Sequence, residues 1–212
     1  MNLNVKPELR EVYTKIKSHL INDDKPSEYL NSISDSQVMR EYPFSMLHEL
    51  KTTGQSPDHH PEGNVWNHTL LVVDEAAMRK SKSKNPEAFM VAALLHNIGK
   101  PATTKIRKGK YTAYNHDKAG ARMCKEFLSC FTDDNRFIKE VSELVRYHMQ
   151  ILFVVKDMPF ADIKGMMENT DFNEIALLGL CDRLGRTKGN REAEKESIRI
   201  FIEKCNRYLA KP

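Results

Sequence analysis

The stretch Phe89-Met-Val-Ala-Ala-Leu-Leu-His-Asn-Ile-Gly-Lys-Pro101 decides the fold and the first functional hypothesis. The unbroken apolar run before His96 predicts a helix packed on most of its circumference, and the following Gly and Pro are typical helix-ending residues. His96 and Asn97 therefore stand where a buried helix ends. Neighbouring helical residues project about 100° apart, so both side chains can reach one ion only if it lies between this helix and others. A metal site is the first hypothesis.

Apolar residues recur at helical spacing along most of the chain, which predicts an all-α bundle. We expect Asn64 to cap a helix that runs to about Lys80, and Pro86 to open the helix that ends at His96. A first helix is expected after Pro7, and later helices over 116–130, 134–149, 160–169, 172–187 and 190–209. The exception is a small hairpin around Gly109, formed by residues 103–112.

Composition narrows the class of protein. The 212 residues suffice for one well-buried core, and 33 Lys and Arg against 29 Asp and Glu leave a net charge of +4, which permits anionic substrates without demanding extended nucleic-acid binding. No apolar run approaches the roughly 18 residues that span a bilayer, and the N-terminus has no signal-peptide core. The four cysteines lack close paired spacing, which indicates a reducing compartment and no zinc cluster. We therefore expect a cytoplasmic protein with no membrane partner.

Further candidate metal ligands are His68, His116, His148 and Asp182. Imidazole and carboxylate groups bind divalent transition metals, but a single histidine on a helix is more often a hydrogen-bonded structural residue.

Structural roles also account for several of these residues. Asn97 could form a left-handed helix C-cap, and Asp182 could pair locally with Arg183 or Arg186. His116 could cap the helix that starts near it, although Asn115 and Asp117 are better capping residues. The residues alone leave these alternatives open.

Five stretches in order resemble the HD superfamily of metal-dependent phosphohydrolases. The local sequence is most similar to the HD domain of bacterial tRNA nucleotidyltransferases (CCA-adding enzymes) and poly(A) polymerase-like proteins. The stretches are His60-Pro-Glu-Gly-Asn-Val-Trp-Asn-His-Thr-Leu70, Ala93-Leu-Leu-His-Asn-Ile-Gly-Lys-Pro-Ala-Thr-Thr104, Asn115-His-Asp-Lys-Ala-Gly-Ala121, Leu144-Val-Arg-Tyr-His-Met149 and Cys181-Asp-Arg-Leu-Gly-Arg186. Several motifs in order are much more specific than one.

The resemblance implies a ligand set. The family is defined by a His, a His-Asp pair and a distal Asp, which correspond here to His68, His96 and Asp182, while Asn97 replaces the Asp of the pair. Asn97 offers a neutral carbonyl oxygen, so the set carries one formal negative charge where the family pattern carries two. The remaining implied ligands, which in two-metal members help to hold a second ion, are His116 and His148.

Asn97 leaves three possibilities open: a natural variant that still binds an ion, a degenerate site that only binds ligands, or an engineered substitution. One or two divalent ions are implied, with Mn, Fe, Ni, Co or Zn more natural than Mg at an imidazole-rich site. Retention of the other ligands favours an enzyme over a module that binds nucleotide or RNA ends without turnover.

The resemblance implies hydrolysis of a phosphoester, with a phosphorylated small molecule, a nucleotide or an RNA 3′ end as partner. Nucleotide addition is not expected, because no nucleotidyltransferase head precedes residue 45. We expect Lys100, Arg183 and Arg186 to offset charge on the phosphoryl group as catalytic residues. The substrate-binding candidates are His60, Lys100, Lys105 and Tyr114, of which the last three belong to or adjoin a basic segment that directly follows the His96 helix.

The expected organisation is an N-terminal helical extension over residues 1–44 packed on the core, an HD-type phosphohydrolase domain over 45–190, and a C-terminal helix over 191–212. The sequence does not predict the oligomeric state.

Overall fold

The fold was obtained as a computed structural model, which describes residues 5–210; residues 1–4 and 211–212, at the outer ends of the predicted terminal regions, lie outside the described residues. Helices form nearly all of its regular structure, so the predicted all-α bundle is confirmed. The α-helices are α1 Pro7–Asn22, α2 Pro26–Ile33, α3 Ser45–His48, α4 Val65–Ala77, α5 Pro86–Leu95, α6 Lys100–Thr103, α7 His116–Ser129, α8 Asn135–Tyr147, α9 Gln150–Val155, α10 Ile163–Asn169, α11 Phe172–Leu184 and α12 Arg191–Leu209.

The helix starts follow the expected capping chemistry. The Asn64 side chain accepts a hydrogen bond from the backbone N–H of Asn67 at the start of α4, and Asn85 does the same for Ala88 at the start of α5. Pro86 occupies the first turn of α5, where a missing N–H costs nothing. The helices predicted to begin at Asn64 and Pro86 are therefore confirmed.

Helix α5 is the centre of the bundle. Every residue from Ala88 to Leu95 is buried, and the helix packs against α1, α4, α8 and α11. An apolar surface all around a helix is stable only when other elements cover it, which is why this run has no polar face. Because α5 is central, its C-terminal end is surrounded by the ends of its neighbours.

Helices α2 (Pro26–Ile33), α6 (Lys100–Thr103) and α9 (Gln150–Val155) were not anticipated. Helices α2 and α6 are short, and α9 follows α8 directly with a continuous apolar sequence. Short apolar runs do not distinguish helix from strand, which explains the omission of α9.

The predicted hairpin is present, though shorter than expected. Strand β1 (Lys105–Arg107) pairs antiparallel with β2 (Lys110–Thr112), with Ile106 opposite Tyr111. Lys108 and Gly109 form the two-residue turn with φ of 49° and 73°, as tight hairpins that match strand twist require. Thr103 lies instead in α6, and Thr104 ends it.

The terminal helices share the central core. Leu20 of α1 and Phe201 of α12 belong to the same buried cluster as Phe89 of α5. The division at residues 44 and 190 remains a prediction.

Among residues 5–210, no helix has the length and apolar character needed to cross a membrane. All four cysteines are buried free thiols.

Candidate metal centre

Three helices bring the predicted first ligand set together beside the end of α5. His68 lies on α4, His96 directly follows α5, and Asp182 lies on α11. One ligand atom from each residue lies within 4.8 Å of the other two, and all three residues are buried. Packing of α4 and α11 against α5 therefore converts residues that are distant in sequence into one cluster of donor atoms.

The ring of His68 lies between two carboxylates. Its Nδ1 is 2.8 Å from Oε1 of Glu62, and its Nε2 is 2.9 Å from Oδ1 of Asp182. A neutral imidazole has one N–H, whereas two ionised carboxylates call for two donors. A cation between Nε2 and Asp182 would satisfy both sides, with Glu62 orienting the ring through Nδ1–H, as carboxylates commonly do for metal-bound histidines.

His116 and His148 form a second pair of ligand atoms. Each Nδ1 contacts a backbone carbonyl, that of Ala113 at 2.8 Å and that of Val145 at 2.7 Å, so each ring donates its proton there. The two Nε2 atoms face each other at 3.2 Å. In neutral rings both carry a lone pair, and a shared cation or proton is the arrangement that relieves their repulsion. The donor set thus fits one or two divalent ions.

Asn97 changes the access to His96. Nδ1 of His96 donates to the carbonyl of Ala93 at 2.8 Å, which leaves a lone pair on Nε2. Nδ2 of Asn97 lies 2.6 Å from that atom and donates a hydrogen bond to it. An ion bound by Nε2 therefore competes with an internal hydrogen bond that an aspartate, having no N–H, would not make.

The left-handed cap considered for Asn97 is not formed. Neither Asn97 nor Gly99 has a positive φ, and the chain turns from α5 into α6. Glycine is required at position 99 for space, since an added Cβ would lie 2.3 Å from the carbonyl oxygen of His116 and 2.4 Å from the backbone nitrogen of Gly120. This close approach to α7 brings His116 next to the end of α5.

Five imidazole rings form a continuous row through the site. Ring centroids are 4.7 Å apart for His60 and His68, 5.5 Å for His68 and His96, 5.6 Å for His96 and His148, and 5.1 Å for His148 and His116. The row joins the two groups of ligand atoms.

Asn97, His116, His148 and Asp182 line a cavity of about 540 Å³. Its walls include Lys100, Arg183 and Arg186, the three cations predicted to contact a phosphoryl group. Arg183 is hydrogen-bonded to Glu194 of α12, while Arg186 lies 3.7 Å from Asp182. The local pairing of Asp182 with Arg186 thus occurs alongside its contact with His68.

The substrate-binding candidates divide into two groups. His60 and Lys100 line the cavity. Lys105 and Tyr114 belong to the hairpin region and are exposed; neither lines this cavity.

Burial controls the protonation of the site. It lowers the pKa of His60 and of His116 to about 3 each, and lowers the pKa of His96 and of His148 as well. Neutral imidazoles are the form that binds metal. Although burial opposes its ionisation, Arg186 and His68 hold the pKa of Asp182 well below its usual range.

Lys100 is a buried cation. Its Nζ donates to Oε1 of Gln55 at 2.9 Å, and burial lowers its pKa to about 8 against the opposing attraction of Asp182. It therefore carries its charge at neutral pH and loses it in mildly alkaline solution.

Three contributors were not anticipated from the sequence. Glu62 accepts hydrogen bonds from both His60 and His68 through Oε1, and despite burial these bonds lower its pKa to about 2. Gln55 holds Lys100, and Glu194 holds Arg183. The only sequence signal for Glu62 was its position inside the motif that begins at His60.

Comparison with known proteins agrees with this geometry. Residues 65–154 match the model of the HD domain. The chain is 36% identical over 170 residues to the Multifunctional CCA protein of Halorhodospira halophila, covering 74% of this chain and 38% of that protein. It is 28% identical over 181 residues to the Multifunctional CCA protein of Methylococcus capsulatus, covering 85% of this chain and 36% of that protein. The chain thus spans well under half the length of these relatives.

The helical bundle, the arrangement of His68, His96 and Asp182 around the end of α5, and the match to the HD-domain model agree with the resemblance seen in the motifs. Residues 65–154 of the chain form an HD domain, and the chain is related to multifunctional CCA proteins.

Proposed function

We propose that the protein is a metal-dependent phosphohydrolase that cleaves a phosphoester of a nucleotide or an RNA end. The observation that carries the proposal is the convergence of His68, His96 and Asp182 next to the facing Nε2 atoms of His116 and His148, at a cavity with cationic walls.

His68, His96 and Asp182 would hold the first ion, with the carbonyl oxygen of Asn97 available only after its amide turns. His116 and His148, whose Nε2 atoms carry lone pairs, would hold a second ion. A divalent ion, when bound, lowers the pKa of a water molecule and polarises a phosphoryl oxygen.

The remaining residues bind and orient the substrate. Lys100 and Arg186 place positive charge at the cavity wall, which favours a phosphate group and stabilises the charge that develops on it. Glu62 keeps His68 and His60 in fixed orientations. Burial lowers the pKa of His60, His96, His116 and His148, which keeps these four imidazoles neutral and available as ligands or proton acceptors.

The names of the relatives support a nucleotide or RNA-end substrate, since both proteins are multifunctional CCA proteins. Together with the cationic cavity, this makes 2′,3′-cyclic nucleotides, 2′-nucleotides and phosphorylated RNA ends the first substrates to test.

The test begins with the metal content of protein purified without chelator, measured by mass spectrometry as isolated and after loading with Mn²⁺ or Ni²⁺. Turnover of 2′,3′-cyclic AMP and bis(p-nitrophenyl) phosphate is then followed. We expect bound metal and turnover, both lost in Asp182→Ala and both kept in the matched surface variant Asp157→Ala. Turnover that survives Asp182→Ala or persists after removal of metal would contradict the proposal.

One observation favours a second function, a module that binds nucleotide or RNA ends without turnover. The hydrogen bond from Asn97 to Nε2 of His96 occupies the lone pair that an ion needs. Tight binding of 3′-AMP by a protein that holds no metal and turns over none of the substrates would support this alternative.

A further inference from the structure

The hairpin concentrates unpaired positive charge beside the site. Lys105, Arg107, Lys108 and Lys110 lie within six residues, and no acidic residue occurs between Lys100 and Asn115. Within residues 5–210, none of these four side chains forms an ion pair. These four positive charges equal the net charge of the whole chain, +4, so the charges of the remaining Lys, Arg, Asp and Glu residues sum to zero. The excess positive charge is therefore located in the hairpin.

The strand register sorts the hairpin into two faces. Residues directly opposite each other share a face and successive residues alternate, so Ile106 and Tyr111 lie on one face and Arg107 and Lys110 on the other. Lys105, paired with Thr112, lies on the face of Arg107. The cations therefore form one surface, which we call the basic face: Lys105, Arg107 and Lys110.

An aromatic ring adjoins the basic face. The guanidinium of Arg107 lies 5.5 Å from the ring centroid of Tyr114, and Tyr114 is 64% exposed. Exposed aromatic rings next to cations are the usual means by which proteins bind single-stranded nucleic acid, since the rings stack bases and the cations neutralise phosphates.

The hairpin is anchored to the site at both ends and in the middle. It follows α6, which begins with Lys100, and it leads to α7, which begins with His116. Tyr114 precedes His116 by two residues, a separation of at most about 7 Å of chain. The ring of Tyr111 lies against Gly54, where an added Cβ would be 2.7 Å from Cζ, so the hairpin packs on the loop that leads to His60.

We propose that the basic face and Tyr114 bind the single-stranded RNA that leads to the phosphoester in the metal centre, with phosphates on Lys105, Arg107 and Lys110 and a base stacked on Tyr114. This inference rests on the proposed function and narrows its substrate class from any nucleotide to an oligonucleotide end. A membrane surface is disfavoured, because the basic face presents an aromatic ring and cations while the exposed aliphatic Ile106 lies on the opposite face.

Binding is tested independently of turnover, by fluorescence anisotropy of a 5′-fluorescein-labelled ten-nucleotide oligouridylate with a 3′-phosphate. Unlabelled 3′-UMP and a labelled ten-residue polyglutamate peptide serve as comparison ligands. The variants are Arg107→Gln/Lys110→Gln and Tyr114→Ala. The matched control is Lys139→Gln/Arg207→Gln, which removes two exposed cations outside the hairpin.

We expect the oligonucleotide to bind at least tenfold more tightly than 3′-UMP and the peptide. The double hairpin variant should weaken oligonucleotide binding at least tenfold and reduce the salt dependence by about 0.7 for each lost phosphate contact. Tyr114→Ala should weaken it by roughly 5- to 150-fold, the range for loss of one stacked base. The control variant should bind like the wild type.

Three results would overturn the inference: equal affinity for the oligonucleotide and 3′-UMP, equal affinity for the peptide, or equal losses in the hairpin and control variants. Turnover of 2′,3′-cyclic AMP with any of these results removes the inference and leaves the proposed function intact. If the oligonucleotide binds through the hairpin but no substrate is turned over, the RNA-binding role of the hairpin is supported and the proposed hydrolase activity is contradicted.

Discussion

The amide nitrogen of Asn97 lies 2.6 Å from Nε2 of His96, so two adjacent residues at the end of α5 satisfy each other. The carbonyl of Ala93 accepts a hydrogen bond from Nδ1–H, which leaves Nε2 as the ring nitrogen with the lone pair. The replacement of the family's aspartate therefore acts twice: it removes a negative charge from the ligand set and adds a donor that competes with the ion.

Asn97→Asp is expected to raise the affinity for Mn²⁺ by at least about tenfold, or about 1.4 kcal/mol, because it adds a charge and frees His96. Titration with Mn²⁺ against a competing chelator measures the change. Asn97→Ala separates the two effects, since it frees His96 without adding charge, and should fall between wild type and Asn97→Asp. Equal affinity in all three proteins would show that Nε2 of His96 does not bind the ion.

Glu62 should act on the metal through His68. Its Oε1 accepts from Nδ1 of both His68 and His60, and its Oε2 is buried without a hydrogen-bond partner among residues 5–210. Loss of such an orienting carboxylate typically lowers metal affinity by about 10- to 100-fold, and we expect this for Glu62→Ala. Glu62→Gln keeps an acceptor oxygen and should lose less.

The same chelator competition measures the effect of Glu62, and ¹⁵N NMR of the metal-free protein reports the tautomer of His68. The exposed carboxylate of Glu203 provides the matched control, Glu203→Ala. Wild-type metal affinity in Glu62→Ala would mean that the packing of α4 alone orients His68.

The sequence predicted those parts of the molecule that local patterns determine. The polar caps and prolines set the starts of α4 and α5, and the apolar run 89–95 required a central helix. The family motifs supplied the candidate ligand residues, and the structure brings His68, His96 and Asp182 together.

Features that depend on contacts across the chain were not predictable. Glu62 reaches two histidines only because its loop folds over the start of α4, and nothing in its spacing fixes that direction. Gly99 was interpreted as a helix-ending residue, whereas its role is to let α7 approach. A sequence does not show that a position requires glycine for lack of space, because the segment that packs against it is known only from the structure.

Lys100 should make the stability of the metal-free protein depend on pH. Its pKa is lowered from 10.5 to about 8 by burial, so between these values the folded chain loses a proton that the unfolded chain keeps. Stability rises with pH wherever the unfolded state binds more protons. Lys100 therefore destabilises the fold below about pH 8, and this penalty is relieved progressively up to about pH 10.5, by about 3 kcal/mol at most.

Urea unfolding of wild type and Lys100→Met in EDTA, between pH 7 and 10.5, checks this. The advantage of Lys100→Met over wild type should shrink as the pH rises, while the difference for the surface variant Lys139→Met stays constant. Titration of cysteines and tyrosines is common to all three proteins and cancels in the differences. A constant difference for Lys100→Met would show that Lys100 titrates alike in the folded and unfolded states.

Gly99→Ala is expected to disturb both the fold and the second ligand pair. The new Cβ would lie 2.3 Å from the carbonyl oxygen of His116 and 2.4 Å from the nitrogen of Gly120, and backbone atoms cannot yield as a flexible side chain does. Helix α7 must move away from the end of α5, at a cost of about 3 kcal/mol. The shift should also separate Nε2 of His116 from that of His148.

Gly120→Ala is the matched control, because it adds a methyl group on the other side of the same contact. Its Cβ would meet Cγ1 of Val145 at 3.2 Å and the nitrogen of Gly99 at 3.4 Å, which small movements relieve. Alanine also favours the helix interior by about 1 kcal/mol over glycine, so the net change should be near zero. Thermal unfolding distinguishes the two variants. If Gly99→Ala were as stable as Gly120→Ala, the close approach of α6 and α7 would not be what places His116 in the site.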